Sequence, residues 1–146
     1  MAHTLTLRVI TPERIVLDEQ VDSVRIPGVD GSIGILPRHA PMVAAVDAGV
    51  LRYRRGAAEE RLFVSDGFAE VKGDTLRVVC EAGELAAEID EERAKAAEKR
   101  ARERLAGARV VGAEAIDLLR AEAALRRALM RQHVLGYASR DRARAH

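Results

Sequence analysis

The feature that most constrains this chain is a change of pattern close to residue 86. From Thr4 to Glu84 the sequence runs in short alternating stretches broken by turn residues. Leu5, Leu7 and Val9 alternate with Thr4, Thr6 and Arg8, and further runs follow at Arg14–Leu17, Val24–Ile26, Ile33–Leu36, Met42–Val46, Val50–Tyr53, Arg61–Ser65, Phe68–Lys72 and Thr75–Val79. A period of two is the mark of a strand. Turn signals separate the runs at Gly28–Gly31, Asp47–Gly49, Arg55–Gly56, Asp66–Gly67 and Gly73–Asp74. Nine or ten strands in so short a stretch predict an antiparallel β-sandwich or barrel. With no helical segment between the strands, parallel crossovers are not expected.

Beyond Glu84 the chain is dominated by Ala, Glu, Arg, Lys and Leu, the residues that enter a helix at lowest cost. The pattern predicts a two-helix antiparallel hairpin, and the whole chain is therefore of the α+β class. Asp90 is placed to cap the first helix, with Glu91 and Glu92 in the first turn where negative charge suits the helix dipole. Glycine punctuation sets the other expected limits. The first helix is expected to end near Ala106 at Gly107, a connector to run to Gly112, and the second helix to extend from about Ala113 to His133, with Gly136 just beyond. Glu91/Lys95, Glu98/Arg102 and Glu122/Arg126 are i, i+4 pairs with the acid on the favourable N-terminal side. The apolar stripe is thin: Ala94, Ala97, Ala101 and Leu105 on one helix, Leu118, Ala121, Leu125 and Ala128 on the other. An alanine methyl gains about 1 kcal/mol on burial against about 1.5–3 for a leucine, so the hairpin is expected to dock weakly.

At 146 residues the chain has room for a small domain with an appendage, and the boundary falls between residues 1–86 and 87–146. The first part carries a formal charge of −3 and the second +4, which favours anionic partners for the hairpin. No apolar run approaches the roughly 20 residues of a membrane span, and Met1–Thr6 does not read as a signal peptide. A cytoplasmic setting is the expectation. Cys80 is the single cysteine, flanked by Val78 and Val79, and reads as a buried, inert thiol.

Gly28, Gly31 and Gly34 read as turn or bulge residues. They lack the G-x-G-x-x-G spacing of a dinucleotide loop, and no helix follows. His39 has no serine or cysteine nucleophile in a recognisable motif, so an interface or structural histidine is favoured over a catalytic base.

The run from Gly28 to Met42, with its glycines, Pro37, Pro41 and His39 at fixed offsets, is followed by Ala48–Tyr53, by Phe63, Val64, Gly67, Phe68 and Val71, by Ile89–Ala94, and by Arg120–Glu122 and Leu125–Ala128. In this order the segments strongly resemble the epsilon subunits of bacterial F-type ATP synthases; only the stretch from Tyr137 onward matches nothing in them. The resemblance implies a non-catalytic subunit of the central stalk, peripheral at the cytoplasmic face of the bacterial membrane. It implies that Gly31, Ser32, Pro37, Arg38, His39, Ala40 and Pro41 face the proteolipid c-ring and the gamma subunit. Ser32 departs from the pattern, since an acidic residue is common there, and this puts a charged contact at that position in doubt.

Ile89-Asp90-Glu91-Glu92-Arg93-Ala94 resembles the I/L-D-x-x-R-A motif of epsilon subunits that bind ATP in the helical domain. By that resemblance the nucleotide-binding residues are Glu84, Ile89, Asp90, Arg93, Ala94, Arg100, Arg127 and Arg131. The chemistry is coherent: guanidinium forks hold phosphate oxygens, Asp90 is able to accept from an adenine amino group, and Ile89 with the alanines suits the base. No phosphate loop with its lysine is present, so ATP would be sensed as a regulatory ligand rather than hydrolysed, and no cofactor is required. The plain alternative is that these arginines are the solvated face of a charged hairpin.

The mechanism implied is a switch. A compact hairpin opens into an extended one that meets the alpha and beta subunits and hinders hydrolysis, and ATP favours the compact form. Two rival classes fit less well. Nucleic-acid binding by the basic C-terminal part is opposed by the interspersed acids and by only two tyrosines and two phenylalanines; an enzyme on a sandwich lacks a catalytic constellation. Arg140–His146 reads as a solvated or disordered tail.

Overall fold

A computed structural model of the chain describes residues 3–111 and 114–144. Contacts divide it into two units, Met1–Ala87 and Glu88–His146.

The first unit is a ten-stranded sheet curled on itself into a nearly closed sandwich. Its strands are β1 (Leu5–Ile10), β2 (Ile15–Val21), β3 (Ser23–Gly28), β4 (Gly31–Ile35), β5 (Met42–Val46), β6 (Gly49–Arg55), β7 (Ala58–Val64), β8 (Gly67–Lys72), β9 (Thr75–Cys80) and β10 (Gly83–Leu85). They are joined in the order β10-β7-β6-β3-β5-β8-β9-β1-β2, with β4 paired on β3. The inward positions of the alternating runs form the core, where Leu7, Val9, Ile26, Leu51, Leu62, Leu76 and Val78 are fully buried. Burying each such side chain stabilises the fold by about 1.5–3 kcal/mol.

One pairing departs from the antiparallel expectation. β1 and β9 run parallel, with Thr6 opposite Thr75 through Ile10 opposite Val79. A parallel pair needs a long crossover, and here the intervening strands supply it in place of a helix. The short β10 also escapes the sequence pattern; it lies antiparallel to the end of β7, with Gly83 opposite Val64.

The second unit contains α1 (Glu91–Val111) and α2 (Ala115–Arg144), preceded by a 3-10 turn at Ala86–Glu88. The Asp90 carboxylate caps α1: Oδ1 accepts from the Arg93 amide at 3.0 Å, and the Asp90 carbonyl accepts from Ala94 N at 3.0 Å. Both glycine stops are overturned. Gly107 lies inside α1 and Gly136 inside α2, and neither has the positive φ of a C-terminal cap. A helical glycine costs only about 1 kcal/mol relative to alanine, and the flanking Ala, Arg and Leu outweigh it. The same helix-formers carry α2 through Tyr137 to Arg144, so the expected tail is helical as far as it is described. The expected connector end at Gly112, the helix start at Ala113, and the last two residues, Ala145 and His146, lie outside the described residues.

Gln132 Nε2 of α2 donates to Glu98 Oε2 of α1 at 3.2 Å. With only residues 112–114 between the helices, that contact requires an antiparallel pair. Ala94, Ala101 and Leu105 are buried on α1, and Ala121, Ala128 and Val134 on α2. Leu118 and Leu125 are only half-buried, and Val134 joins the stripe because α2 continues past His133. Glu91–Lys95 and Glu98–Arg102 form ion pairs at 2.9 and 3.2 Å.

The Gln132 hydrogen bond, with help from Arg102, holds the Glu98 carboxyl below the ordinary glutamate value of 4.5. A lowered folded-state value means a contribution fully present above pH 4.5 and lost as pH falls through the folded value. The Glu98 contribution to the helical melt is therefore expected to be complete above pH 4.5 and to fade as the pH falls below it. Glu98→Gln should flatten that acid limb; a limb identical to that of the unaltered chain would show that Glu98 is not its source.

Candidate functional site

The segment from Gly31 to Pro41 is not one loop. Gly28 and Gly31 close a two-residue turn, Val29-Asp30, between β3 and β4. Gly31 has a φ of 126°, which an L side chain rarely adopts, and a Cβ on Gly28 would lie 2.6 Å from the Gly31 carbonyl oxygen. Gly34 meets neither requirement. β4 then carries the chain away, so that Gly31 and Ser32 sit at one end of the strand and Pro37–Pro41 at the other. At about 3.3 Å per residue they are roughly 20 Å apart.

At the far end Arg38 is the one non-glycine residue with positive φ, 63°, among the described residues. Such a conformation costs on the order of 1–3 kcal/mol and persists where the surroundings hold it. Arg38 Nη2 donates to His3 Nε2 at 2.7 Å, and His39 Nδ1 donates to the Ala40 carbonyl at 2.8 Å. Arg38, Ala40 and Pro41 are exposed, as are Gly31 and Ser32, and Pro37 and His39 are half-buried. Ser32 Oγ accepts from Arg25 Nη1 at 3.3 Å. The arrangement offers a polar rim rather than a reacting group.

The near end borders a surface that the sequence reading did not isolate. The Val29 amide donates to the Ala45 carbonyl at 3.1 Å. From Ala45 a row of apolar side chains crosses the outer face of the sheet strand by strand: Ala45 opposite Phe68, Phe68 opposite Val79, Val79 opposite Ile10, and Ile10 opposite Ile15. Val29, Phe68 and Ile15 are 58, 44 and 60% exposed, and Val43 beside them 72%. The next row is charged, with Glu70 opposite Arg77 and an Arg8–Asp18 ion pair at 3.3 Å. An apolar centre with a charged rim is the anatomy of a protein interface. The available signal was that Met42–Val46 and Leu76–Cys80 contain apolar residues on both faces of their strands.

On the hairpin, the candidate nucleotide residues fall into two groups. Arg93 and Arg100 lie two turns apart on α1, about 10 Å, and are exposed; Arg127 and Arg131 lie one turn apart on α2 and are half-buried. Taking register from the Glu98–Gln132 bond, Arg100 stands level with Arg131, Arg93 stands level with Tyr137, and Arg127 is about one turn removed. Arg93 and Arg100 immediately precede the buried Ala94 and Ala101, and Arg127 precedes the buried Ala128, so these arginines flank the seam. Asp90 has one carboxylate oxygen engaged in the cap, leaving Oδ2 for another donor. Ile89 is buried. Glu84 stands on β10 in the first unit, opposite Phe63.

Burial pushes the Cys80 thiol up to about 11 and the Tyr53 phenol up to about 12, so both are protonated at neutral pH and poor nucleophiles. Among the described residues no group of acids, histidines and cysteine is placed to hold a metal ion.

A sandwich carrying an exposed apolar row, followed by a charged and thinly packed helical pair, has the make-up of a docking subunit. Residues 4–86 match the model of the ATP synthase delta/epsilon chain β-sandwich domain, and residues 87–136 match that of its long α-helix domain. The chain is 44% identical over 138 residues to the ATP synthase epsilon chain of Nitratidesulfovibrio vulgaris, covering 94% of this chain and 100% of that one. It is 47% identical over 131 residues to the epsilon chain of Desulforamulus reducens, covering 90 and 96%. A chain of the mitochondrial ATP synthase of Euglena gracilis, solved as a complex of OSCP, F1 and c-ring, shares the fold with a TM-score of 0.73 at 22% identity, over 92% of this chain and 81% of that one. The chain belongs to the ATP synthase delta/epsilon family, as an epsilon-type, non-catalytic subunit of the central stalk.

Proposed function

We propose that the sandwich couples the gamma subunit to the proteolipid c-ring and that the hairpin restrains ATP hydrolysis. The observation that carries the coupling role is the apolar row from Val29 to Ile15, which suits a broad protein partner and is assigned to gamma. The strained, polar Pro37–Pro41 rim at the opposite end of β4 is assigned to the ring. No described helix is long and apolar enough to cross a membrane, in keeping with a peripheral position on the cytoplasmic face.

Regulation rests on the seam. Facing alanines hold α1 and α2 together weakly, while their helicity is intrinsic. Laid end to end, the 21 residues of α1 and 30 of α2 reach on the order of 75 Å at 1.5 Å per residue, enough to extend along a shaft to the alpha and beta subunits. ATP held by Arg93, Arg100, Arg127 and Arg131 would favour the compact pair, because only there do the two helices offer their arginines together. Deleting residues after Glu88 is expected to leave the complex assembled and to raise its ATP hydrolysis several-fold. Unchanged hydrolysis would remove the inhibitory role.

The nucleotide reading has its own test in calorimetric titration of ATP into the full chain. Heat is expected from the unaltered protein and not from Arg93→Ala. Asp90→Asn is the informative second variant, because it keeps the helix cap while removing the charge; Asp90→Ala would also lose about 1 kcal/mol of cap. No heat in the unaltered chain defeats the reading.

A further inference from the structure

On the outer face of the sandwich three arginines stand directly opposite one another across adjacent strands. Arg25 of β3 faces Arg52 of β6, which in turn faces Arg61 of β7. Arg54 lies two residues along β6 from Arg52 and so shares the face. Neighbouring strands are about 4.8 Å apart, and like charges directly opposite disfavour a sheet. The compensation is uneven. Arg61 Nη2 reaches Glu59 Oε2 at 3.3 Å, Glu59 also stands directly opposite Arg54, and Arg52 has a partner of its own, whereas Arg25 has only the Ser32 hydroxyl among the described residues.

The same side chains border an open cleft. Arg25, Arg52, Arg54, Glu59, Gly34 and Leu36 are among the residues that line a cavity of about 530 Å³, within the range of small-ligand sites. Gly34 sits opposite Arg25 in the middle of β4. Its backbone does not have positive φ, and a Cβ there would find ordinary contact, 3.6 Å from the Arg25 guanidinium, so neither turn geometry nor crowding demands a glycine. A glycine inside a strand is one way to leave room for close approach by a ligand or another backbone, and here it leaves the flank beside Arg25 open. Leu36, 63% exposed, adds an apolar platform at the cavity edge. All of this lies on a domain whose formal charge is −3, so the cationic cluster runs against the charge of its surroundings.

We propose that this cavity binds a small ligand bearing two or more linked phosphates. Guanidinium forks donate to phosphate oxygens in pairs, and a polyanion lying along the row would be shared by Arg25, Arg52 and Arg54. The site is built from sandwich residues alone, none of them among the residues of the ATP reading above, so the two are tested with different variants.

The probe is inorganic pyrophosphate, titrated into the full chain and followed by amide NMR. Shifts are expected at Arg25, Gly34 and Arg54. Arg25→Gln and Arg54→Gln should each weaken binding about tenfold, and Gly34→Val, which fills the flank without changing charge, should weaken it too. Arg93→Ala combined with Arg100→Ala should leave it unchanged. Arg25→Gln also relieves a like-charge pair, so its melting temperature should equal or exceed that of the unaltered chain, which separates lost binding from lost folding. The proposal is overturned if pyrophosphate does not bind, or if binding survives the sandwich variants and disappears with the hairpin pair. It is equally overturned if a polyglutamate peptide shifts the same amides and pyrophosphate fails to displace it, since the surface would then be a protein dock.

Discussion

Gly67→Ala is expected to destabilise the sandwich by at least about 3 kcal/mol, lowering its thermal midpoint by on the order of 10 °C or more. The side chain involved is a single methyl group. At the start of β8 Gly67 lies opposite Cys80, and a Cβ there would land on the Val79 carbonyl oxygen and 2.8 Å from the Cys80 Cα. Those are backbone atoms of the adjoining strand, so no rotamer change relieves the clash. The strand pair must separate, and with it the contact of β9 with β1 that closes the parallel part of the sheet. Gly31→Ala, where a Cβ meets nothing within 4 Å and the difficulty is φ alone, should cost less, about 1 kcal/mol. Denaturation midpoints of the two variants check the ordering; a Gly67→Ala protein within 1 kcal/mol of the original would show that β8 and β9 part more easily than their register implies.

Gly67 illustrates what could be read before the fold was known. Its place in an Asp-Gly turn marked a strand boundary, and the boundary is there, but that a methyl would collide with the next strand depends on which strand lies next. The alternating runs gave the strands because burial on one face imposes a period of two on Leu5–Val9 and Thr75–Val79. The partner of β1 was hidden, since nothing local in Leu5–Ile10 records that it will lie parallel to β9. Helix ends failed for a related reason. Gly107 and Gly136 read as local punctuation, whereas a helix end is decided by the summed preference of its neighbours, and one glycine penalty is small against a run of alanine, arginine and leucine. The Asp90 cap was legible because a cap is entirely local: an aspartate, then two glutamates, then a helical run, with a hydrogen bond to the third residue on.

The site divides in the same way. Gly28–Met42 identified the family by residue type, but the strand character of Gly31–Ile35 split its contact residues between two ends of the domain. Arg93, Arg100, Arg127 and Arg131 stand out only by resemblance to a known motif, since helical spacing alone reads them equally well as the solvated face of a charged hairpin. The apolar row was not legible, because it is assembled from single residues on β5, β8, β9, β1 and β2, and only register brings them into line.

Phe68→Asp tests that row and is expected to have the largest effect on assembly. Phe68 is one of two phenylalanines in the chain and the central aromatic of the row, between Ala45 and Val79. It is 44% exposed and points away from the core, so a carboxylate there remains hydrated in the free subunit and folding should be unaffected within about 0.5 kcal/mol. Against gamma the balance reverses. An aromatic anchor at the centre of an apolar patch contributes on the order of 2–4 kcal/mol, and its replacement also buries a charge that has no basic neighbour in the row. The dissociation constant for the gamma subunit should rise about 30- to 1000-fold. Leu36→Asp is the control: Leu36 is more exposed, at 63%, but lies beyond the end of β4 and outside the row, so its effect should stay within threefold. Co-purification with gamma followed by titration decides between them. Equal affinities for the two variants would mean that the row is not the gamma-binding face.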